Sequence, residues 1–410
     1  MQDYDYIIIG AGIIGINIAK AIINKYPKRS LLILEKEPEI AMHSSGRNSG
    51  VLHTGFYYKP DSLKAKFTQM GNIAMTKYCE KNNLKINKCG KVVVTSSENE
   101  LSTLHELYQR GQHNGSKIVL IDKKELADLE PNAITFEKAL FSPYTATVNP
   151  KEVLFHMLTE LQSLNQVTVK FGEGYKSILN GNSVLTTTGS YFSAGMIINA
   201  AGLYADKIAK DFGFSQNYVI IPFKGIYLKY TGRNLKIKHN IYPVPNMNNP
   251  FLGVHFTVTV NNEIKIGPTA IPVLWREGYK GLDNFRFKEF LDIIFWESKL
   301  FFKNSFNFRG LAFDEIKKYY RPHLLGIAEN MVQKLDSKGF NIWSAPGIRA
   351  QLLNKTTLEL LQDFVIEGDN NSLHILNAVS PGFTCSIPFA EWIVENYLNC
   401  KLTQQGTSSG

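Results

Sequence analysis

Three glycines follow a short apolar run near the start of the chain, and an acidic residue closes the next apolar run. Gly10, Gly12 and Gly15 have the spacing that allows a tight turn, close approach of the backbone to a pyrophosphate, and close helix–strand packing. Glu35 follows about 20 residues later, where a carboxylate can accept hydrogen bonds from an adenosine ribose. The pattern predicts a dinucleotide site rather than a glycine-rich turn without a ligand.

The elements around these residues are the ones that such a site requires. Residues 6–9 and 31–34 are short apolar runs, which predict buried strands. Residues 16–23 have helical spacing, so the N-terminus of a helix would face the pyrophosphate and favour its negative charge.

A polar loop after the second strand bears on which dinucleotide binds. Residues 43–55 combine small polar side chains with three glycines, as a loop around a large planar cofactor would, and a nicotinamide enzyme has no need of it there. A strand over 195–202 precedes a helix over 204–212. A strand over 374–378, a turn over 380–384 and a helix over 386–397 would aim a helix N-terminus at a flavin. Singly these stretches fit any α/β domain, but together they favour FAD over NAD.

The residues predicted to contact FAD come from these stretches. They are Gly10, Gly12, Ile14, Gly15, Glu35, Lys36, Ser44, Ser45, Arg47, Asn48, Ser49, Gly50, Ala201, Gly202, Gly382, Phe383 and Thr384. Cys385 is interpreted as a packing residue, so FAD is expected to bind non-covalently. The four cysteines form no Cys-x-x-Cys pair, so neither a metal site nor a disulfide is predicted and a reducing compartment is expected.

Longer motifs extend over nearly the whole chain. They occupy residues 43–60, 241–245, 250–257, 266–268, 276–279 and 347–351. With them the chain resembles the FAD-dependent amino-acid-oxidase-type superfamily, and within it most closely the L-2-hydroxyglutarate dehydrogenases and oxidases. The resemblance implies oxidation of a 2-hydroxy acid, L-2-hydroxyglutarate to 2-oxoglutarate, by hydride transfer to N5 of FAD. The alternative is an amine or amino-acid oxidase of the glycine or sarcosine oxidase type.

The sequence departs from that family at two places where substrate or flavin contacts are expected. Lys224 stands where the family usually has an arginine, and Arg47 precedes Asn48 where the family usually has histidine. A lysine is a point charge rather than a planar fork, so these changes bear on the identity of the hydroxy acid more than on the reaction.

The resemblance also implies an architecture. The expected fold class is α/β with an α+β second domain: a Rossmann-type FAD-binding domain, with an antiparallel-sheet substrate domain inserted discontinuously. The FAD-binding domain would comprise residues 1–84, 148–218 and 342–402, and the substrate domain 85–147 and 219–341. Residues 403–410 are polar and rich in Gly and Ser, so they are expected to be a disordered tail.

Oxidation of a secondary alcohol by a flavin needs a base for the hydroxyl proton and cations for the carboxylates. His53, just beyond the flavin loop, and His255, in a predicted strand of the substrate domain, are the base candidates because imidazole titrates near neutral pH. The superfamily implies that Arg349 binds a substrate carboxylate bidentately. Lys224 and Arg276 are weaker candidates, both for the second carboxylate. Tyr57 and Tyr242 could either hydrogen-bond a carboxylate or simply pack.

The charge balance favours acidic partners. Lys+Arg number 45 against 36 Asp+Glu, a net charge of +9, which suits a small anionic hydroxy acid, an anionic membrane surface or nucleic acid. No dense basic block occurs, so a flavoprotein that binds nucleic acid is disfavoured. The electron acceptor stays open among oxygen, a quinone and an electron-transfer protein.

An amphipathic helix with a wide aromatic face is predicted over residues 284–305. It would either lie on a membrane surface, with its basic residues on anionic lipids, or pack on the substrate domain. No apolar run reaches the roughly 18 residues of a membrane span, and no basic leader precedes the first apolar stretch. The expectation is therefore a cytoplasmic protein, with peripheral attachment at the inner face of a membrane as an extension of it.

Overall fold

The computed structural model describes residues 2–179, 181–247 and 249–398; the predicted disordered tail, 403–410, lies outside them. The α-helices are α1 Ile13–Lys25, α2 Leu63–Lys81, α3 Leu101–His113, α4 Lys123–Leu129, α5 Pro150–Gln162, α6 Ala205–Asp211, α7 Phe287–Lys303, α8 Phe308–Lys317, α9 Arg321–Glu329 and α10 Gly382–Tyr397.

The strands comprise a first half before residue 200 and a second half after it. The first half is β1 Gln2–Ile9, β2 Leu31–Leu34, β3 Val51–Leu52, β4 Ile86–Asn87, β5 Lys91–Val94, β6 Val119–Asp122, β7 Lys138–Ser142, β8 Ala146–Val148, β9 Val167–Lys170, β10 Tyr175–Ile178, β11 Ser183–Thr186 and β12 Tyr191–Asn199. The second half is β13 Tyr218–Gly225, β14 Leu228–Tyr230, β15 Asn240–Pro243, β16 His255–Val258, β17 Ile264–Gly267, β18 Ile271–Pro272, β19 Phe340–Trp343, β20 Gly347–Asn354, β21 Ile366–Gly368 and β22 Ser372–Ile375.

A sheet with a parallel centre carries the glycine-rich turn. Its order is β10-β11-β12-β1-β2-β9, with β22 on β12 and β21 on β22, and the pairs β12–β1, β1–β2, β2–β9 and β12–β22 are parallel. All four residues of β2 are buried, as strands covered on both faces require. Helices α1, α2, α5 and α10 contribute to the main apolar core on one face. The carboxyl ends of β1, β2 and β12 meet at one edge, where such sheets bind ligands.

A second sheet has the order β19-β14-β17-β16-β15-β5-β7-β6. Its pairs are antiparallel except β15–β5, which is parallel, so the expectation of an antiparallel sheet holds for all neighbours but this one. A parallel neighbour needs a long crossover connection. Strands β9 to β12, which belong to the first sheet, lie between β5 and β15 in the chain. The predicted fold class, a Rossmann-type domain with a discontinuous, largely antiparallel second sheet, is confirmed.

A three-stranded sheet has the order β18-β13-β20. Residues 218–230 contribute strands to two different sheets, because β13 pairs with β20 whereas β14 pairs with β17 and β19. Strand β20 comes from the predicted FAD-binding segments, and its partner β13 comes from the predicted substrate segments. Because this strand pair crosses the predicted boundary between the domains, the domain boundaries stay a prediction.

The last helix begins earlier than predicted. Residues 382–384, expected in a turn, are the first turn of α10, where the Cys385 amide donates to the Pro381 carbonyl at 3.0 Å. Pro381 fits just before a helix because the first turn leaves its amides without intrahelical partners. Gly382 to Thr384, which are predicted to contact the flavin, thus lie on a helix N-terminus rather than ahead of it.

Candidate active site

One cavity of about 840 Å³ lies along the carboxyl ends of the parallel strands. Its volume is in the range of cofactor and ligand sites. Of the residues predicted to act in binding or catalysis, those that line it are Gly10, Gly12, Ile14, Glu35, Lys36, Ser44, Ser45, Arg47, Asn48, Ser49, His53, Ala201, Gly202, Arg349, Gly382, Phe383 and Thr384. Gly15, Gly50, Lys224 and His255 lie outside that lining.

The glycine-rich turn has the geometry that its sequence predicts. Gly10 has a φ of +105°, and a Cβ atom there would lie 2.7 Å from the Ala200 carbonyl oxygen. A Cβ atom on Gly15 would lie 2.0 Å from the Gly10 carbonyl oxygen, so helix α1 packs against the turn only because this residue is glycine. Gly15 therefore acts through packing, not through the cavity wall.

Glu35 lies beside that turn. One of its carboxylate oxygens accepts the Ala11 amide at 2.9 Å and the other accepts the Glu37 amide at 3.1 Å. A carboxylate has about four acceptor positions, so capacity for a ribose diol remains.

The cavity fits FAD. The N-termini of α1 and α10 both border it, and both direct the positive end of a helix dipole toward an anion in the cavity. Gly202 and Gly382 line it, and a Cβ atom on either would meet no atom within 4 Å. The open backbone at two glycines, with Glu35 at the far strand end, is the cradle that a long dinucleotide requires.

The loop over residues 43–50 is held by its own side chains. Ser45 Oγ accepts the Ile13 amide of α1 at 2.9 Å, and Ser44 Oγ donates to the Ile348 carbonyl at 2.7 Å. Arg47 Nε donates to the Met42 carbonyl at 2.5 Å. The loop is thus hydrogen-bonded both to the N-terminus of helix α1 and to strand β20, next to Arg349.

Residues 277–289 contribute four side chains to the cavity lining, Glu277, Asn284, Arg286 and Glu289, and the sequence analysis assigned none of these four to the site. Glu277 pairs with Lys36 at 2.8 Å and accepts from Tyr204 Oη at 2.7 Å. Tyr279 Oη is 2.8 Å from His43 Nδ1, and the Arg47 guanidinium lies 4.5 Å from the Tyr279 ring centroid. The motif over 276–279 carried the signal, but only the fold reveals what these side chains contact.

Arg276, a weak candidate for a substrate carboxylate, is a structural residue instead. It is fully buried and forms a bidentate pair with Asp206, at 2.6 and 2.9 Å. Because its guanidinium is occupied, it is not free for a ligand, and leaving Asp206 without it would cost about 3–5 kcal/mol.

His53 lines the cavity with a buried imidazole. Its Nδ1 has no hydrogen-bond partner in the described part of the chain, while its backbone amide donates to Thr384 Oγ1 at 3.2 Å. Burial lowers its pKa well below the usual value, and the positive charges of Lys91 and Arg349 and the neighbouring His255 act in the same direction. The side chain is therefore neutral near pH 7 and can accept a proton.

His255 is not among the residues that line the cavity. Its ring stacks on Tyr242 at 3.7 Å, and its Nδ1 is 2.8 Å from the Gly253 carbonyl oxygen. Since a carbonyl only accepts, Nδ1 carries the hydrogen and Nε2 the lone pair. Burial lowers its pKa to about 3, so this imidazole is also neutral.

Arg349 presents a guanidinium to the cavity from β20. Its Cζ lies 5.4 Å from the Phe251 ring centroid, and no carboxylate of the described residues lies within ion-pair distance. On the strand pair β13–β20 it stands opposite Phe223, so Lys224, the next residue, faces the other side of the sheet. The structure therefore does not bring Lys224 together with Arg349.

Tyr227 is a cavity residue that the sequence analysis did not assign. It borders the cavity with His53 and Arg349. Burial raises its pKa to about 12, against the effect of the Arg349 charge, so its phenol stays protonated and can donate a hydrogen bond.

The chain matches the FAD dependent oxidoreductase family over residues 5–396, and it belongs to that family. It is 33% identical over 395 residues to the L-2-hydroxyglutarate dehydrogenase of Escherichia coli, covering 95% of this chain and 92% of that protein. It is 34% identical over 417 residues to the mitochondrial L-2-hydroxyglutarate dehydrogenase of Homo sapiens, covering 96% and 88%.

Solved structures share the fold. The FAD-bound, dithionite-reduced L-alpha-glycerophosphate oxidase of Mycoplasma pneumoniae has a TM-score of 0.75 at 23% identity, covering 97% of this chain and 96% of that one. The glycine oxidase of Geobacillus kaustophilus has a TM-score of 0.70 at 15% identity, covering 98% and 95%. The predicted family and its cofactor, FAD, are confirmed.

Proposed function

We propose that this protein oxidises a 2-hydroxy acid, L-2-hydroxyglutarate to 2-oxoglutarate. The observation that carries the proposal is a cavity fit for FAD that is lined both by a neutral, buried His53 and by Arg349, which has no ion pair among the described residues. The relatives that match most of the chain are named for this activity. Bound FAD supplies a two-electron acceptor for the substrate's hydride.

His53 is proposed to accept the hydroxyl proton. Its imidazole is neutral, it borders the cavity, and its Nδ1 has no partner among the described residues. His255 does not border the cavity, so it is proposed to support the site from behind.

Arg349 is proposed to hold a carboxylate of the substrate. A guanidinium binds a carboxylate with two parallel hydrogen bonds, which fix both position and orientation. Tyr227 can add a neutral donor beside it. Orientation matters because the carbon that loses hydride must meet the cofactor at one angle and distance.

FAD is proposed to bind without a covalent bond. Cys385, which follows the cavity-lining residues Gly382 to Thr384, is fully buried in α10, and burial raises its pKa to about 12. A thiol that stays protonated is a poor nucleophile, so a packing role fits it better.

Anaerobic reduction tests the proposed reaction. L-2-hydroxyglutarate is expected to bleach the flavin absorbance at about 450 nm, whereas glycine and sarcosine are expected to leave it unchanged. The D-enantiomer is the control for orientation by Arg349 and should be at least tenfold slower. Bleaching by glycine or sarcosine alone would favour the alternative, an amine oxidase.

We also propose that the protein works in the cytoplasm, attached peripherally to the inner face of a membrane. In the described chain no helix has the length and apolar character needed to cross a bilayer. Helix α7 instead buries one face and exposes aromatic and aliphatic residues on the other. The exposed apolar residues of α7 and α8 are Phe287, Leu291, Phe295, Phe302, Phe313 and Ile316.

The surroundings of this exposed face favour an anionic lipid surface. Lys288, Lys299 and Lys303 lie on the same helix, and Lys299 Nζ is 4.7 Å from the Trp296 ring centroid. Such a helix lies flat at the interface, with apolar side chains inserted and lysines on the headgroups.

The double variant Phe295→Ser and Phe302→Ser is expected to lose at least tenfold in binding to phosphatidylglycerol vesicles, because each buried phenylalanine contributes about 1.5–3 kcal/mol. Co-sedimentation measures the bound fraction. Phe155→Ser is the matched control, since Phe155 is 62% exposed on α5 and should not matter. Equal sedimentation of the double variant and the wild type would exclude this surface.

A further inference from the structure

The motif over residues 276–279 belongs to the predicted substrate segments, yet each of its three side chains contacts the predicted FAD-binding segments. The partners are Asp206 for Arg276, Lys36 and Tyr204 for Glu277, and His43 for Tyr279. Lys36, Tyr204 and His43 line the cavity. The motif therefore attaches the second domain to residues of the cavity wall, a role that the proposed oxidation does not use.

Glu277 lines the cavity as well, and both oxygens of its carboxylate are bound. Oε1 lies 2.8 Å from Lys36 Nζ and accepts a hydrogen bond from Tyr204 Oη at 2.7 Å. Oε2 accepts a hydrogen bond from Asn284 Nδ2 at 2.9 Å. The Glu277 side chain is only 5% exposed, so its ion pair with Lys36 is screened less than a pair on the surface.

Lys36 and Tyr204 follow two different strands of the first sheet. Lys36 comes after β2 and Tyr204 comes after β12, and these two strands lie on either side of β1. Strand β1 leads into the turn at Gly10. The Glu277 bridge, defined as Lys36, Glu277 and Tyr204, therefore connects the chain on both sides of the glycine-rich turn, where the adenosine and pyrophosphate of FAD are expected.

A second set of contacts supports the Glu277 bridge. Tyr279 Oη is 2.8 Å from His43 Nδ1, and His43 Nε2 is 2.8 Å from the Glu37 carboxylate. Glu37, His43 and Glu277 thereby place three possible metal ligands within 4.8 Å of one another. The Lys36 ammonium pairs with both of these carboxylates, so the cluster already holds a cation that the protein itself supplies. The cluster is therefore interpreted as a contact between domains rather than as a metal site.

We propose that Glu277 is a positioning residue for FAD, which slows release of the cofactor's adenosine end by holding Lys36 and Tyr204 together. FAD leaves this part of the cavity when the segments after β2 and β12 separate from the second domain. That separation leaves Glu277, a carboxylate withdrawn from water, without its charged partner, which is unfavourable. The inference concerns binding of the cofactor, so it does not depend on which acid is oxidised.

Release of FAD from the holoenzyme tests the proposal without any substrate. Glu277→Gln keeps the size of the side chain and an oxygen for Tyr204, but removes the charge that pairs with Lys36. After dilution, flavin fluorescence is expected to show FAD release at least tenfold faster than in the wild type, because a charge-assisted contact is lost. Glu263→Gln is the matched control, because Glu263 pairs with Lys229 at 3.8 Å and is exposed outside the cavity lining. Release at the wild-type rate in Glu277→Gln overturns the proposal.

A double-variant cycle distinguishes positioning by the ion pair from a general loss of structure. Lys36→Met alone is also expected to release FAD faster than the wild type. Because the two residues act through their contact, the combination with Glu277→Gln should release FAD no more than about twofold faster than the faster single variant. The visible absorption spectrum of the bound flavin should match that of the wild type, because the Glu277 bridge lies at the adenosine end. Effects that multiply, or a changed flavin spectrum, overturn the proposal.

A milder variant covers the case in which Glu277→Gln yields no folded holoenzyme. Tyr204→Phe keeps the ring and removes only the hydroxyl that donates to Glu277. Its FAD release is expected to be about fivefold faster than that of the wild type, the effect of one typical hydrogen bond. Tyr230→Phe is the control, since its hydroxyl donates to Asp336 at 2.7 Å and lies outside the cavity lining. Equal release from Tyr204→Phe and the wild type would also overturn the proposal.

Discussion

Arg349→Met is expected to lower kcat/KM for L-2-hydroxyglutarate by about a thousandfold, because a bidentate, charge-assisted pair to a carboxylate is lost. Both the binding and the orientation of the substrate depend on this pair, so KM should rise and kcat should fall. Steady-state kinetics with a saturating acceptor measures both.

The same substitution should leave folding nearly unchanged. Arg349 makes no ion pair with the described residues and is only partly buried, so its removal leaves no unpaired charge behind. Thermal melting and FAD content are therefore expected to match the wild type within error. Arg233→Met, at an exposed position, is the control for loss of one surface charge. A tenfold or smaller loss in Arg349→Met would show that another group holds the carboxylate.

His53→Asn is expected to lower kcat by about a thousandfold, within the range of losses for a removed general base. FAD should stay bound, because the contact of this residue with Thr384 is made by its backbone amide rather than its ring. His255→Asn is the comparison, and a smaller loss is expected because His255 does not border the cavity.

The pH dependence follows from the direction of the pKa shift. The pKa of His53 is lowered well below its usual value by burial, so the base stays neutral and kcat should not fall as pH decreases through 6.5. Unfolded chains bind that proton near pH 6.5, so stability declines as pH falls below this value. A kcat limb centred near 6.5 that vanishes in His255→Asn would reverse the assignment of the two histidines.

Much of the FAD-binding half could be predicted because its signals are local. The spacing of Gly10, Gly12 and Gly15 and the apolar runs on either side specify a turn, a helix and two buried strands from neighbouring residues alone. The misplaced start of α10 shows the limit of this approach. Proline and glycine before a helix suggest a turn as readily as a first helical turn. Only the hydrogen bond from the Cys385 amide to the Pro381 carbonyl decides between them.

The second half was harder to predict because its strands pair over long distances in the chain. A single apolar run over 218–230 splits between two sheets, and nothing in its own periodicity marks the break. Lys224 and Arg349 were both predicted to bind carboxylates, yet the register of β13 on β20 puts them on opposite faces.

By itself the sequence determined the nucleotide-binding turn, the family and the residue types available for catalysis, since these depend on short-range spacing and on motifs within single segments. Only the tertiary structure decided which residues act together. His53 and Arg349 line one cavity, and Arg276 forms a buried ion pair with Asp206. Burial, pairing and charge at those positions come from segments far apart in the chain, whose packing no local pattern encodes.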